Sequence, residues 1–119
     1  MANIMVIDRS PFMRGSLKFL AERAGGNTVV CDSGTVAESI GLYENHRPDI
    51  VTVDLLLEGA CDLMKKMKEI NPAVKIIVTA MEGNNLLKSE AESAGACGQI
   101  GKPYSYDNVM AVLNSLTRK

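Results

Sequence analysis

Short apolar runs alternate strictly with amphipathic segments along this chain, and that alternation leaves few folds open. The runs Ile4–Ile7, Thr28–Cys31, Ile50–Val53, Lys75–Thr79 and Cys97–Ile100 show no apolar-polar alternation, the pattern of strands covered on both faces. Helical spacing fills the gaps between them. Ser10 is placed to cap the first helix, Pro11 suits its first turn, and Met13, Leu17, Leu20 and Ala24 share one face before Gly25-Gly26 ends it. Thr35 and Glu38 have capping-box spacing, with Val36, Ile40 and Tyr43 facing inward and Arg47-Pro48 closing the segment. Leu63, Met67 and Ile70 define a third stripe, and Leu87, Ala91 and Ala94 a fourth that stops at Gly95. Val109, Val112, Leu113 and Leu116 define a fifth.

Five strand-helix units in series predict an α/β fold of three layers. Each helix must carry the chain back to begin the next parallel strand, and right-handed crossovers put helices on both faces of the sheet. One domain over residues 1–119 is expected, since 119 residues with 46% hydrophobic content suffice for a single core. The net charge of −1 comes from 13 basic and 14 acidic residues scattered along the chain, so no stripe points to a nucleic acid or a membrane surface. Lys65, Lys66 and Lys68 read as a solvated helix face. Cys31, Cys61 and Cys97 are odd in number and form no CxxC pair, which fits a reducing, cytoplasmic setting. The apolar start stops at Asp8 without a basic leader and is too short for a signal peptide or a membrane span.

In an open parallel sheet the ligand site lies beyond the carboxyl ends of the strands. Asp8 follows the first predicted strand, Asp54 the third, Thr79 closes the fourth, and Lys102 comes just after the fifth. Two acids, a hydroxyl and an amine should therefore meet at one edge. Taken singly, each could be a turn residue, a strand residue or a surface charge; together they are a constellation.

With these residues the chain resembles the response-regulator receiver family. The resemblance covers nearly its whole length: Val6-Ile7-Asp8, Pro48 to Asp54, Ile77-Val78-Thr79-Ala80, Ala94-Gly95-Ala96 and Lys102-Pro103. Phe12-Met13-Arg14 is similar to the single-domain, chemotaxis-type (CheY-like) branch. The resemblance implies a flavodoxin-like (βα)5 fold with a five-stranded sheet of order 2-1-3-4-5. It implies that Asp54 accepts a phosphoryl group from a sensor histidine kinase and that Thr79 and Lys102 support the phosphate. Asp8, Asp54 and the backbone carbonyl of Leu56 would hold Mg2+. No attached DNA-binding or enzyme domain fits in 119 residues, so output is expected through a separate, unidentified protein. A flavin carrier would want a glycine- and hydroxyl-rich loop where Asp8-Arg9-Ser10-Pro11 stands.

Three positions depart from the family pattern. Arg9 replaces a second acid that usually ligates magnesium, so weakened metal binding is expected. Arg9 either points into solvent or turns inward to pair with Asp54. The loop after Asp54 is shortened, and its Glu58 either lends a carboxylate to a metal or stabilises a helix start. Gln99 occupies the output position where the family carries an aromatic switch residue, and either faces water or bonds to Thr79. A protein-binding module independent of phosphorylation is therefore the alternative to a working acceptor.

Overall fold

The computed structural model describes residues 2–23, 25–81 and 85–117. Five parallel strands, β1 (Ala2–Ile7), β2 (Asn27–Ser33), β3 (Ile50–Asp54), β4 (Lys75–Ala80) and β5 (Ala96–Gly101), form one sheet of order β2-β1-β3-β4-β5. They alternate with α1 (Pro11–Arg23), α2 (Val36–His46), α3 (Ala60–Ile70), α4 (Asn85–Ser93) and α5 (Tyr106–Thr117). Every strand extends its predicted apolar run by one to three residues, because ladder pairing continues past the last apolar side chain. Ala24, expected on the first helix face, lies outside the described residues.

Two apolar layers explain why the strands lack polar alternation. Met5, Ile7, Val51, Val53, Ile76 and Val78 face Tyr43 of α2, Leu63, Met64 and Met67 of α3, and Ala91 of α4. The opposite strand residues Ile4, Val6, Ile50, Ile77 and Ile100 meet Leu17 and Ala21 of α1 and Val109, Met110 and Leu113 of α5. Each face of the sheet thus excludes water, and each strand must be apolar on both sides. No described helix is long and apolar enough to cross a membrane.

Local chemistry sets the helix ends. Ser10 Oγ accepts the Met13 N–H at 3.2 Å, with Pro11 opening α1. At α2 the predicted capping box is half made: Thr35 Oγ1 accepts the Glu38 N–H at 3.3 Å. The returning bond is absent because the Thr35 N–H is already donated to Ser33 Oγ, and the Glu38 carboxylate receives the Thr35 hydroxyl instead. Arg47 closes α2 in a left-handed conformation, φ 47°, donating its N–H to the Tyr43 carbonyl at 2.8 Å. Lys68 corrects the reading of a solvated lysine face. Its Nζ donates to the Val74 carbonyl at 2.7 Å, while Lys65 and Lys66 remain exposed. The stem of Lys68 lies beside Gly95, where φ is +115° and a Cβ would come within 2.9 Å of it.

Candidate functional site

The ladder brings the predicted strand-end residues to one edge. Asp54, the last residue of β3, lies directly opposite Thr79 of β4, and Thr79 lies opposite Ile100 of β5, two residues before Lys102. Asp8 follows β1, whose Ile7 pairs with Val53. Asp8, Asp54 and Thr79 are all buried.

Lys102 organises the charges. Its Nζ donates to Asp8 Oδ2 at 2.8 Å and stands 3.4 Å from Asp54 Oδ1. Burial works against the charged amine, but the hydrogen bond to Asp8 and the surrounding charges outweigh it, so the Lys102 proton affinity is raised. A buried carboxylate needs donors, and backbone amides complete the set. Ser10 N–H donates to Asp8 Oδ1 at 2.9 Å, and Leu56 N–H to Asp54 Oδ1 at 3.1 Å. Both contacts to the Asp54 carboxylate fall on Oδ1, from the Leu56 amide and from Lys102.

Arg9 is exposed and makes no ion pair among the described residues. The cation beside Asp54 is Lys102, not Arg9. Glu58 is exposed in the turn before α3. Among the described residues no three acidic, histidine or cysteine side chains group as metal ligands, so Glu58 does not join the two aspartates. Gln99 is exposed rather than bonded to Thr79, which is buried.

A Mg2+ ion demands near-octahedral oxygen coordination. Asp8, Asp54 and the Leu56 carbonyl are the groups that would serve it. The two carboxylates are already bridged by an ammonium, and the position that could add a third carries Arg9. The donor set fits a dication poorly.

Two neighbours of the site were not singled out from sequence for any role there. Arg14 Nη1 donates to the Asp8 carbonyl at 2.7 Å while its Nε pairs with Asp32 at 2.7 Å, tying the Asp8 backbone to β2. Tyr104 is partly buried against the α1 and α5 layer. Its burial raises the phenol pKa, Thr79 and Lys102 oppose that rise, and the two aspartates add to it. The available signal was the spacing of Tyr104 and Val109 around Ser105, which is that of a residue stapled to a helix start.

The sequence profile of the response regulator receiver domain matches residues 4–114. The chain is 32% identical over 117 residues to the chemotaxis protein CheY of Thermotoga maritima, covering 97% of each chain. It is 29% identical over 113 residues to CheY of Bacillus subtilis, covering 93% of each. Among solved structures it is similar to a LuxR-family two-component response regulator from Aurantimonas, with TM-score 0.88 and 27% identity over 98% of this chain and 84% of that one. The receiver domain of RcsB from Salmonella enterica, determined with the phosphomimetic BeF3-, shares the fold at TM-score 0.88 and 20% identity, over 98% of this chain and 88% of that one. Receiver domains are signalling modules that interact with histidine kinases and downstream effectors and generally bind Mg2+ at the phosphorylation site. The five-stranded sheet of order 2-1-3-4-5, the converged strand-end residues and these likenesses place the chain in the response regulator receiver family.

Proposed function

We infer that this receiver takes a phosphoryl group from a histidine kinase on Asp54 and, as a stand-alone regulator of a phosphorelay of chemotaxis type, signals by altered binding to a downstream protein. The observation that carries this reading is the Asp54 carboxylate itself, buried at the sheet edge with a lysine ammonium 3.4 Å from Oδ1. In the reaction Asp54 Oδ2 attacks the phosphorus of a phosphohistidine. A P–O bond forms, the P–N bond breaks, and its electron pair returns to the imidazole nitrogen. Little covalent help is needed; alignment and cancellation of charge on the phosphoryl oxygens dominate. Lys102 supplies the positive charge and Thr79, opposite Asp54, a hydroxyl donor.

Weak magnesium binding belongs to the same reading. Arg9 adds a positive charge beside the pocket in place of a ligand, while Lys102 already offsets one of the two aspartate charges. The relatives named CheY align along nearly their whole length, which supports the chemotaxis-type assignment. Gln99 at the output position implies that the downstream partner is read without an aromatic switch there.

Intact mass spectrometry after incubation with acetyl phosphate, with and without Mg2+, tests the acceptor. Uptake of one phosphoryl group by the wild type and none by Asp54→Asn is the expected result. No uptake by the folded wild type, beside a competent receiver treated identically, overturns it in favour of a binding module that works without phosphorylation.

A further inference from the structure

The backbone of Asp8 is held as firmly as its side chain. Its N–H donates to the Ser33 carbonyl of β2 at 3.0 Å, and its carbonyl accepts from Arg14 Nη1 at 2.7 Å. The same guanidinium turns its Nε to Asp32 Oδ2, also at 2.7 Å, so Arg14 reaches from α1 to β2 across the loop that carries Asp8. The Arg14 side chain is 20% exposed and that of Asp32 54%, so water screens the pair and its charge attraction alone adds little. What the pair fixes is geometry, because a planar guanidinium with two edges engaged has few ways to turn. Gly34 leaves room for it. A Cβ at that position would stand 2.9 Å from Arg14 Nη1, the nitrogen that reaches Asp8. No positive φ calls for glycine there, so the missing side chain serves the approach of the guanidinium.

Beyond this brace lies the acceptor. Asp8 Oδ1 takes the Ser10 N–H at 2.9 Å and Oδ2 the Lys102 ammonium at 2.8 Å, and that ammonium stands 3.4 Å from Asp54 Oδ1. An unbroken line of contacts thus runs from Asp32 through Arg14, Asp8 and Lys102 to Asp54. Arg14 has no bond to Lys102 or Asp54 among the described residues, so it acts on them only through Asp8. We propose that Arg14 is a positioning residue for phosphoryl transfer: braced by Asp32 and seated in the gap left by Gly34, it fixes the Asp8 backbone and, through Asp8, the Lys102 ammonium beside Asp54. Its effect on transfer rests on Asp54 being the acceptor, whereas the bracing of Asp8 does not.

The test uses two readouts on the same proteins: hydrogen exchange of the Asp8 and Ser10 amides, and the rate of phosphorylation by acetyl phosphate followed by intact mass. Arg14→Met removes the donors and keeps a stem. Gly34→Ala leaves Arg14 in the chain but puts a methyl group where its Nη1 lies; the atom displaced is the end of a flexible side chain, so the backbone is spared. Each variant is expected to speed exchange at Asp8 and Ser10 by about threefold and to slow phosphorylation by about tenfold per folded molecule, the folded fraction being fixed by urea unfolding. The Arg14→Met, Gly34→Ala double variant should be no slower than Arg14→Met alone, because both changes unseat one group. Asp32→Asn keeps an oxygen for Nε and should cost no more than about twofold. Wild-type rates in Gly34→Ala, additive losses in the double variant, or a slowing that only follows the folded fraction would each overturn the proposal. Failure of the wild type to take up phosphate rejects the acceptor reading instead, and the role in transfer falls with it. Exchange at Asp8 and Ser10 then decides the brace alone, and wild-type exchange in Arg14→Met overturns that as well.

Discussion

Replacing Lys102 by methionine keeps the stem of the side chain and removes its charge, leaving Asp8 and Asp54 facing each other in a buried pocket. The two aspartate side chains are only 3% and 8% exposed, so water replaces little of what is lost. At 2.8 and 3.4 Å the ammonium gains about 5–6 kcal/mol from each carboxylate at an effective dielectric of about 20. Burying the ammonium offsets several kcal/mol of that, and removing one partner of a buried pair typically costs about 3–5 kcal/mol net. We expect Lys102→Met to lose about 3 kcal/mol at pH 7, a large part of the ~5–15 kcal/mol that holds a domain together but not all of it. In urea the midpoint should fall by about 2 M for a slope in the usual range. Adding Asp8→Asn removes one stranded charge while keeping an acceptor for the Ser10 N–H, and should recover about half of the loss. A midpoint drop under about 0.5 M, or a double variant less stable than Lys102→Met alone, would refute this account of the pocket.

The same lysine sets an alkaline limit. Its folded-state proton affinity is raised above the ordinary value of 10.5, so its stabilisation is complete below that pH and is lost as pH climbs through the higher folded value. Unfolding free energies of the wild type and Lys102→Met should therefore converge in strongly alkaline buffer, and a gap that persists there would contradict the ion-pair assignment. Arg9→Asp restores the missing acid beside Asp8 and should tighten Mg2+ binding by about tenfold or more, measured by titration calorimetry because the chain has no tryptophan to report it. Unchanged affinity would show that Arg9 is irrelevant to the metal. Tyr43 is fully buried, and its hydroxyl has no hydrogen-bond partner among the described residues. Tyr43→Phe should accordingly be neutral or stabilising by up to about 1 kcal/mol in urea unfolding, whereas a loss of stability would reveal a partner for that oxygen.

Period and position were legible in the chain; pairing was not. The five runs mark the strands because both faces of a covered sheet exclude water, and that requirement is written into consecutive residues such as Val51 and Val53 on one side and Ile50 on the other. Met64 escaped the helical stripe drawn through Leu63 and Met67. The apolar face of α3 is wide enough to bury all three, a width that depends on what packs over it. Glu38 illustrates the same limit at the scale of one hydrogen bond. The capping spacing was right, but Ser33, outside the motif, reached the Thr35 N–H first.

The site repeats this division between position and pairing. Asp8, Asp54, Thr79 and Lys102 could be located because strand ends fix where the chain leaves the sheet. The direction of Arg9 could not, since it depends on a competitor 93 residues away: Lys102 Nζ bonds Asp8 and approaches Asp54, compensating half of the charge that could draw a guanidinium out of water. Tyr104 was hidden for a related reason. In sequence it is the residue after Lys102-Pro103, and the packing of its ring on the α1 and α5 layer depends on what that layer brings over it. Lys102, just after β5, stands next to Asp54 whichever way Arg9 points, so the charge at the pocket is set by the far end of the sheet edge and not by the residue after Asp8.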